Sequence, residues 1–195
     1  LRDGLISDVE PGLSRSPQAQ DLGGDYLLPG LVELHTDNLE KHLSPRPGVD
    51  WPSASAVLSH DAQIISSGIT TVFDALSIGD VNPKGKRMQQ LPAMLEAIAS
   101  ANAEGLTRAE HRLHLRCEVC HPDTLSVFRD LVEQPLVQLV SVMDHSPGQR
   151  QFALESKYRE YYMGKYHLTT AQMDEFIVEQ VANSREYSDR YRAAI

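Results

Sequence analysis

Cysteine is scarce in this chain: two residues in 195 cannot build the dense disulfide scaffold of a small secreted domain. Long apolar runs are missing too, and none approaches the roughly 20 residues that would span a bilayer. Positive charge is in deficit. With 18 Lys and Arg against 27 Asp and Glu, the formal charge is −9, which excludes a broad nucleic-acid or anionic-membrane surface and leaves room for a local basic pocket. What remains is 41% hydrophobic and 23% charged, the balance of a soluble globular protein with a core, expected in the cytoplasm. The sequence opens at Leu1 with neither an initiator Met nor a charged-then-apolar leader, so a longer natural chain is expected.

Residues 1–28 read as short strands: Leu5, Ile6 and Val9 lie among Gly4, Pro11 and Gly12, and Leu27 and Leu28 follow Gly23 and Gly24. From Pro29 the texture changes. Leu31 to His35 is an apolar run after Pro-Gly and predicts a buried strand, followed by a loop from Asn38 to Pro52 rich in proline. A helix begins at Ser53 and stops at Gly68, and the β-branched ITTVFDAL from Ile69 to Leu76 predicts a second strand. Met88 to Gly105 has helical spacing. Arg112 to Glu118 then alternates strictly, placing Arg112, His114, Arg116 and Glu118 on one face and Leu113, Leu115 and Cys117 on the other. A third helix opens at Pro122-Asp123 and runs to Leu131, and Val137 to Met143 predicts a fourth strand ending at Asp144-His145. From Gln149 to Ile195 the chain is polar and helical, with Thr169-Thr170 capping Ala171 to Asn183. The β-α-β-α-β-α-β order favours a parallel sheet with helical crossovers, either open and doubly wound or closed as a barrel.

Parallel α/β folds collect reactive groups where strands end in loops at the carboxyl edge of the sheet. Three strands here end in metal-type ligands: His35 and Asp37, Glu118, and Asp144-His145. His35 and Asp37 are two apart on a strand and so point the same way. Imidazoles with hard carboxylates suit Zn²⁺, Mn²⁺ or a similar ion, and a carboxylate such as Glu118 can bridge two ions and hold a hydroxide between them.

PGLVELH, from Pro29 to His35, resembles the first-strand signature of the amidohydrolase superfamily, metal-dependent hydrolases built on a (β/α)8 barrel beside a small β-sandwich. HTDNLEKHLSPRPGVDWP, SHDAQIISSGITTVFDA, AEHRLHLRCE, MDHSPGQRQF and YREYYMGKY are similar to strings of the phosphonate-metabolism hydrolases in that superfamily, and the similarity covers nearly the whole chain. It implies an α/β fold in which residues 1–28 belong to the sandwich and residues 29–195 form the N-terminal half of a TIM-type (β/α)8 barrel. The implied reaction is metal-dependent removal of diphosphate from a ribose methylphosphonate carrying a 5-triphosphate. One or two divalent ions, Zn or Mn, are implied, with His35, Asp37, Glu118 and His145 as ligands and Glu118 and His145 as the catalytic pair. The superfamily usually has a second His where Asp37 stands, and Glu118 takes a bridging position that is a carboxylated Lys in many relatives. The sixth-strand His and the eighth-strand Asp, the expected base, have no counterpart before Ile195.

So anionic a substrate calls for cations near the strand ends, and Lys41, Arg46, Arg116, Arg150 and Lys165 are the candidates, with Gln149 and Gln151 beside Arg150. Tyr161, Tyr162 and Tyr166 are expected to pack the long helical excursion. A complete barrel takes about 250 residues, so half a barrel is expected to need the rest of its own chain or a second copy. Three other readings stay open. A hydrolase of the same fold could act on another phosphorylated or cyclic-amide substrate. Cys117-Glu118-Val119-Cys120-His121 fits the C-x-x-C-H pattern of haem attachment, with Met143 or Met163 as axial ligand, or a thioredoxin-like redox pair. Half a barrel could also be a noncatalytic binding protein.

Overall fold

A computed structural model describes residues 5–46, 48–82, 85–149 and 152–195. Its centre is a parallel sheet of β1 (Leu31–Thr36), β2 (Ile69–Ile78), β3 (Glu110–Glu118) and β4 (Val137–Met143), each strand lying beside its sequence neighbour in the order β1-β2-β3-β4. After β1 comes α1 (Asn38–Leu43), and the crossovers are α2 (Ser53–Ser66), α3 (Arg87–Ala103) and α4 (Thr124–Leu131). Ala56 and Val57 of α2, Leu91, Leu95 and Ile98 of α3, and Phe128 of α4 share one buried cluster with Leu76, Ile78, Leu113, Leu115 and Cys117. All three helices therefore cover the same side of the sheet. A doubly wound sheet reverses its strand order and carries helices on both faces, so this connectivity is that of a barrel arc.

The alternation read in β3 holds. Leu113, Leu115 and Cys117 are wholly buried under the helices, while Arg112, His114, Arg116 and Glu118 take the opposite face. β1 differs from expectation: it is mostly exposed rather than buried, with Leu31 and Val32 each 58% accessible, because it is an edge strand with β2 as its one neighbour. The segment read as a loop after β1 contains α1, which forms because Leu39 and Leu43, four residues apart, both enter the core beneath α2. Among the described residues before Leu31 no strand of the sheet forms, and Leu5, Ile6, Val9, Leu13, Tyr26, Leu27 and Leu28 are exposed. These side chains have no second layer to pack against.

Beyond β4, α5 (Glu155–Tyr166) and α6 (Thr170–Asn183) pair through a second core of Phe152, Tyr158, Tyr162, Met173, Phe176 and Ile177. The expected cap is present: Thr169 accepts from the Gln172 amide while the Gln172 side chain reaches back to Thr169. A π-helical turn (Ser184–Ser188) leads into α7 (Asp189–Ala194), which is anchored to the sheet by Tyr191 donating to the Pro122 carbonyl and by Arg192 pairing with Asp144 at 2.7 Å. Among the described residues no helix is long and apolar enough to cross a membrane.

One polar group is buried under the helices, where an apolar side chain would be expected. Asp74 of β2 accepts from His60 of α2 and from His111 of β3, each at 2.7 Å, and the other nitrogen of His111 lies 3.3 Å from Asp61 of α2. Asp61 also accepts the Arg108 and Ala109 amides, tying α2 to the start of β3. All four side chains are buried. Separations of 2.7 Å are hydrogen-bond lengths, shorter than the roughly 3.3 Å between two ligands of a tetrahedral ion. The group is therefore an imidazole–carboxylate network. Burial opposes charge on His111, but the hydrogen bonds and negative charges of Asp74 and Asp61 outweigh it and raise its pKa.

Candidate active site

The carboxyl edge of the sheet opens into a polar cleft of about 200 Å³ lined by Asp37, Arg87, Arg116, Glu118 and His145, with Tyr161, Tyr162, Lys165 and Tyr166 above them. The strands position the first group. Glu118 is the last residue of β3 and is 2% exposed. Its Oε1 accepts the His145 backbone N–H at 3.0 Å and the Cys120 thiol at 3.1 Å, and its Oε2 is bonded to Nδ1 of His145. Thr124 at the start of α4 fixes the backbone here by donating to the Glu118 carbonyl at 2.7 Å.

Space for Glu118 comes from Gly79, directly after β2. Its φ of +92° lies in the region that only glycine adopts freely, and an added Cβ would sit 2.8 Å from Cβ of Glu118 and 2.7 Å from Oγ1 of Thr124. Gly79→Ala is accordingly expected to destabilise the fold by about 2 kcal/mol, through backbone strain and overpacking. A urea-denaturation midpoint equal to that of the unaltered protein would contradict this packing role.

At the other side of the cleft, β1 carries one extra residue against β2, since Glu33 to Thr36 spans three steps where Val72 to Asp74 spans two. Such a bulge re-aims the side chains that follow it. The His35 ring packs edge-on against His114 at 5.2 Å, and its Nε2 lies 3.7 Å from Asp37. Asp37 in turn accepts from Arg116 at 2.6 Å. His114 lies between the Leu34 carbonyl at 3.1 Å and the Ser141 hydroxyl at 2.7 Å, and burial lowers its pKa, so a neutral ring buttresses His35.

Of the residues singled out in the sequence, Asp37, Arg116, Glu118 and His145 meet in the cleft, and Lys165 joins them. His35 stands beside Asp37 but is absent from the cleft lining. Lys41 and Arg46 are not in the cleft lining: Lys41 is exposed and bonded to Asn38 within α1, and Arg46 is exposed in a loop bridge with Val49. Arg150 and Gln151 lie outside the described residues. Tyr162 and Tyr166 pack the excursion, as expected, whereas Tyr161 is 44% exposed with its ring against Phe152 and Tyr162, and all three wall the cleft. Burial pushes Tyr166 up to about 12 and Tyr162 upward as well, so these phenols stay protonated hydrogen-bond donors. Arg87 was not anticipated. Its signal was its position: the first residue of a crossover helix in a parallel sheet lies at the carboxyl edge.

The donor chemistry of the strand ends suits Zn²⁺ or Mn²⁺. The four expected ligands stand as two pairs, His35 with Asp37 and Glu118 with His145, with the Asp37 charge met by Arg116. Among the described residues, the groups of three ligand atoms within 4.8 Å of one another are Glu118, Cys120 and Asp144 at this edge, and His60, Asp74 and His111 under the helices. The cysteines lack the exposed, low-pKa setting of a reactive thiol. Both are free and buried, Cys117 faces the core under the helices, and burial pushes its thiol up to about 12 and that of Cys120 higher.

No family model and no solved structure matches the chain. Over all 195 residues it is 54% identical to the alpha-D-ribose 1-methylphosphonate 5-triphosphate diphosphatase of Escherichia coli (strain K12). The chain spans 52% of that protein's length. The homologue is, by its name, a diphosphatase acting on a triphosphate.

Proposed function

We propose that the chain is the N-terminal part of a metal-dependent diphosphatase of the amidohydrolase type, hydrolysing a ribose methylphosphonate 5-triphosphate to the 5-phosphate and diphosphate. The observation that carries this reading is the meeting of Asp37, Glu118 and His145 with Arg87, Arg116 and Lys165 in one polar cleft. Carboxylates and imidazole suit an ion, and cations suit the phosphates beside it. A bound divalent ion supplies Lewis-acid stabilisation of phosphoryl oxygens and lowers the pKa of water. His35, Asp37, Glu118 and His145 are its proposed ligands.

The protein's own groups prepare the rest. Glu118 holds His145 at two points, Oε1 on its backbone N–H and Oε2 on ring Nδ1, so the exposed part of that ring faces the cleft in one orientation. Arg116 is 16% exposed, is tethered to Asp37 through one Nη, and keeps its other donors for phosphate oxygens. Residues 1–28 are proposed to complete a small β-sandwich, and the open edges of β1 and β4 are proposed to meet the remaining strands of the barrel or a second copy. The cytoplasm is the proposed compartment, and no nucleic acid or membrane takes part.

The test is made on the natural full-length protein. Native mass spectrometry with Mn²⁺ or Zn²⁺ is expected to show one or two ions per chain, and the loaded protein is expected to release diphosphate from the ribose triphosphate. A protein that binds neither ion, or that turns over only a cyclic amide, would overturn the proposal.

A further inference from the structure

We propose that Lys165 of α5 and Arg87 of α3 form a clamp for the triphosphate chain at the mouth of the cleft, so that the helical excursion selects substrates by their polyphosphate. This rests on the reading of the cleft as a triphosphate site and deepens it by giving two of its three cations a separate role. Charge pairing separates the three cations of the cleft. Arg116 is matched by Asp37, and Arg87 is matched by Glu40, which accepts from its Nε and Nη2 at 3.0 Å. Lys165 has no carboxylate partner among the described residues. Its ammonium donates to the Tyr161 hydroxyl at 3.2 Å and stands 5.2 and 5.5 Å from the ring centroids of Tyr161 and Tyr166.

Two aromatic faces thus hold an exposed ammonium over a cleft whose floor contains the proposed ion ligands. Rings steady a cation without neutralising it, so its full charge remains available to an anion. Arg87 adds direction. Glu40 fixes the guanidinium along one edge, and among the described residues Nη1 has no hydrogen-bond partner, so it is available to a phosphate oxygen. A single phosphate held by an ion beside Glu118 and His145 has few oxygens left for other partners, whereas a chain of three phosphates offers further oxygens to Lys165 and Arg87 in the same cleft. The clamp therefore discriminates by the number of phosphates rather than by the sugar.

The experiment is calorimetric titration of the natural full-length protein with inorganic triphosphate in the presence of a chelator, so that binding through an ion is removed. Lys165→Gln is expected to weaken binding at least about tenfold and Lys165→Arg by less than about threefold, and Arg87→Gln is expected to weaken it to a similar degree as Lys165→Gln. Methylphosphonate, with one phosphorus, is expected to bind Lys165→Gln as it binds the unaltered protein. Lys165 is exposed, so its replacement leaves the core intact. Unchanged triphosphate affinity in Lys165→Gln overturns the clamp, as does equal loss for triphosphate and methylphosphonate. A protein that shows the expected losses yet releases no diphosphate from the ribose triphosphate keeps the clamp and overturns the assigned reaction. Turnover with unchanged KM in Lys165→Gln overturns the clamp alone.

Discussion

Glu118→Gln in the natural full-length protein is expected to cut diphosphate release by about 10³-fold or more while the fold stays in place. The substitution is nearly isosteric, and the surrounding bonds tolerate it. An amide oxygen can still accept the His145 backbone N–H and the Cys120 thiol, and the amide nitrogen can donate to Nδ1 of His145. What disappears is the negative charge, buried at 2% exposure beside the proposed ion. Metal stoichiometry by native mass spectrometry should fall together with activity, while the thermal midpoint moves by only a few degrees. Full turnover in this variant would remove Glu118 from the chemistry and leave it as a clasp for the loop after β4.

The largest loss of stability is expected far from that edge. Asp74→Ala strands two buried imidazoles that now share one carboxylate, at an expected cost of about 3–5 kcal/mol, because breaking a buried pair leaves the partner uncompensated. For a chain of this size that corresponds to a fall in Tm of roughly 10 °C. A fall of only a degree or two, followed by circular dichroism, would show that the network is incidental to folding. The pH dependence has a definite sign. His111 is raised above its ordinary value, so its contribution is complete below about 6.5 and fades as pH rises through the higher folded value. At Asp74, burial is outweighed by hydrogen bonds from His111 and His60, and the pKa is lowered. Its contribution is present above about 3.9 and fades as pH falls through the lower folded value. The stabilisation due to Asp74 should therefore be greatest between about pH 4 and pH 6.5, and the Tm difference between the unaltered protein and Asp74→Ala should narrow outside that window.

The strands and crossovers were legible because each has a period that its surroundings enforce. Arg112 to Glu118 alternates since one face meets α2, α3 and α4 and the other is the open polar face that delivers Arg116 and Glu118 to the cleft, so the pattern names both faces. Strand order decided between the barrel and the doubly wound sheet, and that is a property of pairing which no single strand carries. Helix α1 was hidden because six residues give too short a window for periodicity, and Leu39 and Leu43 declare themselves only once a core lies beneath them. Glu118 and His145 were visible as strand-end ligands, whereas Arg87 comes from the first turn of a crossover helix and the tyrosine wall from the excursion after β4. The His60–Asp74–His111–Asp61 network was invisible for a different reason: its members fall at positions where the pattern calls for apolar residues, and their pairing spans 14 to 50 residues of sequence.

His111 and Glu118 belong to one strand but to opposite faces of it. The first is locked into the network under the helices and the second into the cleft, with the width of the sheet between them. Inheritance can therefore act on them separately. A lineage can retune the working temperature or acidity of the protein through the helix-covered side while the cleft residues stay fixed, or exchange ligands at the open side while the scaffold keeps its margin against unfolding.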